Sequence, residues 1–245
     1  WRATASKNTK TAACIAACPT TDMSEQLTFD WPVGVALGVA DFFVSAANDR
    51  AYAMLQAPDT WPDRKLIIAG PAGAGKSHLA GIFATQMNAQ HLSATALPDT
   101  LPPAGRSIVV EDLDQLAPDA NEFMFHLHNH LRHTGGHLLM TARRAPARWA
   151  LTLPDLASRM QASTTISIDD PDDALLAALI MKLMADRQIM PPPSLVSYLV
   201  ARIERSYAAA ARVVARLDTA SMAQGRPINR ALAAGLLDKA APERR

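Results

Sequence analysis

The stretch Leu66-Ile67-Ile68-Ala69-Gly70-Pro71-Ala72-Gly73-Ala74-Gly75-Lys76-Ser77-His78-Leu79-Ala80-Gly81-Ile82-Phe83-Ala84 decides the fold. Its first four residues are a short apolar run that reads as a buried strand. Residues 78–84 carry the apolar spacing of a helix, and between them Gly70 to Ser77 match G-x-x-x-x-G-K-[ST] at every position. A strand, a glycine loop and a helix in that order are the context that makes this pattern a site. Glycine lets the backbone curl so that several N–H groups face one anion, and the helix start adds partial positive charge. Gly70, Pro71, Ala72, Gly73, Ala74, Gly75 and His78 are expected to line a polyphosphate. Lys76 is expected to bridge its outer phosphates, and the Ser77 hydroxyl to hold Mg²⁺. The expected ligand is a nucleoside di- or triphosphate, ADP or ATP.

Working outward, apolar runs at 107–110, 138–141 and 164–168 read as further strands, with a weaker one at 91–94. Residues 119–133 read as a helix, and so does the segment from Asp41 to Ala57. Strands alternating with helices imply a parallel sheet covered on both faces. Beyond about residue 169 the strand signal disappears. Apolar residues recur at helical spacing in 172–186, 194–204, 206–222 and 227–240, broken by Pro191-Pro192-Pro193 and Gly225-Arg226-Pro227. The expected architecture is an α/β nucleotide-binding domain over 37–169 and a small all-helical domain over 170–245, preceded by a short lead over 23–36.

Composition bounds the rest. The 245 residues are 49% hydrophobic and 19% charged, with a formal net charge of +1. That is ordinary for a soluble globular chain and demands neither nucleic acid nor an acidic membrane as partner. No apolar run approaches the roughly 18 residues of a membrane span. The two cysteines are Cys14 and Cys18, which argues against a disulfide scaffold or a zinc site in the body. Residues 10–18 imitate a lipoprotein signal, but their apolar centre is too short and too polar. Residues 1–22 are expected to be an unstructured tail or foreign sequence, Met23 the natural start, and the location cytoplasmic.

A phosphate loop needs an acidic partner at the end of a neighbouring strand. Ile108-Val109-Val110-Glu111-Asp112 supplies two carboxylates there, so Glu111 and Asp112 join Ser77 as the candidate metal set, and Asp112 is also a candidate for orienting water. Thr141 ends the next strand, where a hydroxyl could feel the γ-phosphate or simply satisfy strand propensity. Arg143, Arg144 and Arg148 follow as a basic cluster that is either a solvated loop or a contact to a phosphate or partner. Arg159 precedes the last strand, either as a surface helix residue or as a guanidinium offered to a neighbour's nucleotide. Histidines 126, 128, 130, 133 and 137 show no complete ligand spacing, and helix histidines are the expected reading.

In this order the pieces resemble the AAA+ ATPases, and more narrowly the DnaA branch. Phe42 and Asn48 lie in a segment similar to the one that cups adenine in that branch. Residues 122–129 resemble the helix before the sensor-one strand, and Thr141 with Arg143, Arg144 and Pro146 resembles the sensor-one turn. Leu153-Pro154-Asp155-Leu156-Ala157-Ser158-Arg159 is close to the arginine-finger segment of the Hda family of DnaA-like regulators. Gln26-Leu27-Thr28-Phe29-Asp30-Trp31 resembles the hexapeptide by which such regulators dock on the replication sliding clamp, with Gln26 at the pocket rim and Leu27, Phe29 and Trp31 as apolar anchors.

The resemblance implies a negative regulator of replication initiation, partnered by the initiator DnaA, the sliding clamp and copies of itself, with no direct sequence-specific reading of DNA and no membrane. Arg159 would act as a finger in trans on DnaA, and the chain's own ATPase would be weak or absent. Two departures stand out. Glu111 precedes Asp112 where the acidic order is usually different, and Ala208 occupies the place of the lid arginine, with Arg205 and Arg212 nearby. A DnaC-like helicase loader and a stand-alone ATPase are the competing expectations.

Overall fold

The computed structural model describes residues 42–238, so the expected tail, the lead with Gln26, Leu27, Phe29 and Trp31, and the last residues of the helical domain lie outside it. Five strands form one sheet: β1 (Lys65–Ala69), β2 (Gln90–Ser93), β3 (Ile108–Glu111), β4 (Leu138–Ala142) and β5 (Thr164–Ser167). All pairings are parallel, in the order β2-β3-β4-β1-β5. Because β1 lies between β4 and β5, its C-terminal loop opens beside the end of β4 rather than beside β2. That crossover places the glycine loop at the middle of the sheet's carboxyl edge, where open parallel sheets bind ligands.

Alternation along the strands feeds two cores. Leu66, Ile68, Val109 and Leu139 point to one face, where Ala51 and Leu55 of α1 (Asp49–Gln56) and Leu79, Ala80 and Phe83 of α2 (Lys76–Gln86) cover them. Ile67, Ile108, Val110, Leu138 and Met140 point to the other. There they meet Met124, Leu127 and Leu131 of α3 (Asn121–Thr134) and Leu156 and Met160 of α4 (Pro154–Ala162). Most of these side chains are wholly buried. Each contributes roughly 1.5–3 kcal/mol of apolar transfer.

Four helices follow the sheet: α5 (Asp173–Ala185), α6 (Pro193–Val200), α7 (Tyr207–Gln224) and α8 (Arg230–Asp238). Two of their starts are explicit in the side chains. Asp172 Oδ1 accepts the Leu175 N–H at 2.8 Å, and Ser206 Oγ accepts the Ala209 N–H at 3.1 Å. Such caps contribute about 1 kcal/mol each. No helix among the described residues is long and apolar enough to cross a membrane.

One expectation is corrected. The helix read from Asp41 to Ala57 begins only at Asp49. Asn48 explains the delay: its Oδ1 accepts the Ser45 N–H at 2.9 Å and its Nδ2 donates to the Phe43 carbonyl at 2.9 Å. A side chain that bonds local backbone in this way competes with helix formation, so Phe42 to Asn48 form a folded lead-in instead.

Beneath α3, the imidazole of His128 is 4% exposed. Burial first, and then the charges of Lys65 and Arg159, lower its pKa to about 4. An unfolded histidine titrates near 6.5. As pH falls from about 6.5 toward 4, the unfolded chain gains a proton that the folded chain refuses, so stability falls across that window and not above it. We expect denaturation at pH 5 to show a loss from this residue of up to about 2 kcal/mol relative to pH 7.5. His128→Leu should shrink the pH difference without removing it, because burial lowers His137 as well. A pH difference untouched by that substitution would contradict the assignment.

Candidate phosphate-binding site

Parallel register brings three strand ends to one edge. Ile68 pairs with Thr141, and Val110 pairs with Met140, so Glu111 and Thr141 lie at one level and Gly70 follows two residues further along the same edge. The Gly70 N–H donates to the Ala142 carbonyl at 3.1 Å and ties the loop to the end of β4. Gly73 and Gly75 both have φ of +83°, a left-handed backbone that L side chains rarely adopt. Those two reversals curl the loop back over the start of α2, whose first N–H groups have no intrahelical carbonyl.

Lys76, the first residue of α2, is buried beneath this loop. Its Nζ donates to the carbonyls of Gly70 and Pro71, each at 2.8 Å. Burial lowers its pKa from the ordinary lysine value, while Asp112 pulls it upward and Arg143 presses it down. Ser77 Oγ donates to Glu111 Oε2, and His91 Nε2 lies 2.7 Å from Glu111 Oε1. Of the two adjacent carboxylates, Glu111 therefore faces the loop hydroxyl. Asp112 takes a left-handed backbone, φ 55°, and its N–H donates to Thr141 Oγ1 at 3.2 Å.

An aromatic wall stands beside the loop. The Phe42 ring stacks on Tyr52 at 5.9 Å and meets the His78 ring edge-on at 5.5 Å. A Cβ added at Gly75 would come within 2.9 Å of Phe42 Cε2. His78 Nε2 is buried and has no hydrogen-bond partner among the described residues. Asn48, in contrast, is 3% exposed and spends its amide inside the lead-in. It ties together the backbone of Phe43 and Ser45 rather than turning outward.

These residues fit a nucleoside polyphosphate with a divalent cation. The left-handed glycines leave a cradle, the buried ammonium is bonded to loop carbonyls that a phosphate can replace, and Ser77 with Glu111 forms an oxygen pair suited to Mg²⁺. Among the described residues, no cluster of three or more histidine, cysteine or acidic side chains forms a separate metal site.

Arg159 is not part of this edge. It lies on α4, ahead of β5, and Thr164 of β5 pairs with Leu66 near the start of β1. It therefore sits at the amino edge of the sheet, opposite its own phosphate loop. The guanidinium is half-buried and rests over the Phe125 ring, 4.7 Å from the centroid. In the helical segment, Tyr207 at the start of α7 approaches Gly73: a Cβ there would lie 3.3 Å from Tyr207 Cβ. Arg205 is held bidentately by Asp173 at 2.7 and 3.1 Å, and Arg212 lies 3.8 Å from Glu204.

Sequence reasoning missed His91 and Asp114. Asp114 Oδ1 accepts the Arg143 N–H at 3.1 Å. A polar residue in the short run 90–93 was the available signal for His91, but only the β2–β3 pairing puts it on Glu111.

No family model matches the sequence. Solved structures do match the fold. Domain III of the Thermotoga maritima replication initiation protein DnaA superposes with a TM-score of 0.66 at 17% identity, covering 87% of this chain and all of that one. Aquifex aeolicus DnaA bound to AMPPCP matches at 0.56 and 16% identity over 76% of this chain, which spans 66% of that chain. A point variant of Thermotoga maritima RuvB matches at 0.58 and 16% identity, over 78% of this chain and 67% of that one. The fold is thus the one these DnaA and RuvB structures share, a parallel five-stranded sheet flanked by helices.

Gly75→Ala tests the cradle. It adds a Cβ against Phe42 and strains a backbone with φ of +83°. We expect a loss of about 1–2 kcal/mol in urea denaturation. An unchanged midpoint would show that the loop does not need this left-handed turn.

Proposed function

We propose that the chain is a nucleotide-bound regulator of replication initiation of the Hda type, which acts on ATP-loaded DnaA. Its phosphate loop holds ADP or ATP with Mg²⁺ through residues 70–78, Ser77, Glu111 and Asp112, with Phe42 beside the base. Residues 170–245 serve as the lid. When bound, the nucleotide supplies the charge and shape that set the lid against the sheet. This chain's own residues then do the rest. Lys76 and the loop amides hold the phosphates, Glu111 orients Ser77, and Thr141 fixes the backbone of Asp112.

The observation that carries the reading is the position of Arg159. A guanidinium at the edge opposite its own phosphate loop is of no use to that loop, and it suits a neighbour docked against α4. There it would stabilise the charge on the transferring phosphoryl group, a role for which arginine's planar fork is suited and lysine's ammonium is not. Phe125 lies under it without neutralising it. Gln26, Leu27, Phe29 and Trp31 would tether the chain to the sliding clamp and raise its local concentration on replicated DNA. Thr141, buried with its hydroxyl on Asp112, supports Asp112 rather than reaching for a phosphate itself. The DNA-bound and AMPPCP-bound states named for the DnaA structures are in keeping with this partnership at the level of fold.

The test is to follow hydrolysis by ATP-bound DnaA after adding this protein and DNA-loaded clamp. Stimulation is expected, and Arg159→Ala should reduce the chemical step by about a thousandfold, with Arg159→Lys failing to restore it. Stimulation unchanged in Arg159→Ala, or none from the wild-type chain, would reject the mechanism.

A further inference from the structure

The amino edge of the sheet holds two buried nitrogens that lie far from the phosphate loop. Lys65 opens β1 and pairs with Leu138, and its side chain falls on the same face as that of Ile67, two residues on. Ile67 and Leu138 belong to the core that α3 and α4 cover, so the lysine runs beneath those helices. It is 2% exposed, and its Nζ is buried with no hydrogen-bond partner among the described residues. His128 comes down from α3 onto the same core, one helical turn from Met124 and from Leu131. Its Nδ1 is likewise buried and unpartnered among the described residues. Native folds keep few such groups, and an unsatisfied ammonium is the costliest of them.

No described carboxylate meets this need. Asp63, two residues before Lys65, is exposed and forms no ion pair with it. Asp63 and Arg64 both take a left-handed backbone, φ 52° and 56°, and Arg64 donates to the Gly135 carbonyl at the end of α3. That turn leaves Asp63 outside and Lys65 inside. The other neighbours are cations. Arg159 rests over Phe125, one turn of α3 before His128. Behind burial, the charges of Lys65 and Arg159 lower the His128 pKa, against a pull from Asp63. Lys65 is lowered by burial in turn, with Asp63 opposing and Arg132 and Arg159 adding to it. Arg132 and Asp63 are exposed and Arg159 is half-buried, so the two nitrogens lie one side chain below the surface.

We propose that Lys65 Nζ and His128 Nδ1 form a receptor for one carboxylate, the side chain of an aspartate or glutamate on a protein that docks over α3 and α4 at this edge. A carboxylate brings two acceptor oxygens for two nitrogens and one negative charge for one ammonium. A phosphate brings up to twice that charge and a third oxygen. The neutral imidazole donates as its Nδ1–H tautomer, and the Arg159 guanidinium stays on Phe125 at the rim. The assignment needs neither a nucleotide in the loop nor a role for Arg159 in trans.

The experiment uses the full chain at pH 7.5, with sodium acetate as the carboxylate and sodium chloride at equal ionic strength as the control. At acetate about tenfold above its dissociation constant, the thermal midpoint of the wild type should rise by about 2–4 °C over chloride. Lys65→Met should lose that gain. In chloride this variant should unfold no lower than the wild type, because methionine keeps the apolar stem and sheds an unpaired charge. The nitrogen-15 ring resonances of His128 in the wild type, identified by their loss in His128→Leu, should move saturably with acetate and not with chloride. Equal midpoint gains in both chains, or ring resonances that stay in place, would overturn the receptor. A marked fall in the midpoint of Lys65→Met in chloride would show the ammonium already paired and would overturn it as well.

Discussion

The left-handed backbone at Gly73 and Gly75 is the constraint on which the site depends. Two φ angles of +83° turn the chain back on itself within a few residues, and only then does Lys76 lie beneath the carbonyls of Gly70 and Pro71. A side chain at Gly75 would meet Phe42, so the same turn also brings the aromatic wall to the loop. Helix α2 starts where the curl ends, and its first amides are left facing the cradle. The phosphate chemistry, the placement of the aromatic wall and the start of a core helix are consequences of one local geometry.

The sheet then distributes function between two edges. At the carboxyl edge, parallel register sets Glu111, Asp112, Thr141 and Arg143 around the loop. At the amino edge, α4 presents Arg159 over Phe125. The two edges are separated by the length of β1, which is buried throughout. A rigid sheet of this kind keeps the groups we propose to hold a nucleotide apart from the group we propose for a neighbour's. The helical segment meets the carboxyl edge through Tyr207 at Gly73, and the Tyr207 hydroxyl donates to the Asp169 carbonyl at 3.3 Å.

Much of this was legible in the chain. An apolar run before the glycines, a helical pattern after them and two carboxylates at the end of another apolar run are local signals, and local signals survive in one dimension. Strand order is not local. Nothing in residues 90–93 says that His91 will meet Glu111, because that contact exists only once β2 pairs with β3. The same holds for Asp114 and Arg143, which are 29 residues apart and joined by one hydrogen bond. Helical spacing from Asp41 onward misled because Asn48 bonds its own neighbourhood, an interaction that composition and periodicity do not register. Thr141 reads in the sequence either as a group near the γ-phosphate or as an ordinary strand residue, and only burial and the bond from the Asp112 N–H show that its hydroxyl is engaged.

The central claim is that residues 70–77 cradle a nucleoside polyphosphate around Lys76. Calorimetric titration of the purified chain with Mg-ADP, beside Lys76→Ala, tests it most directly. The account predicts one saturable site in the wild type that disappears in a Lys76→Ala chain of unchanged circular dichroism. Binding that persists undiminished without the ammonium would contradict it.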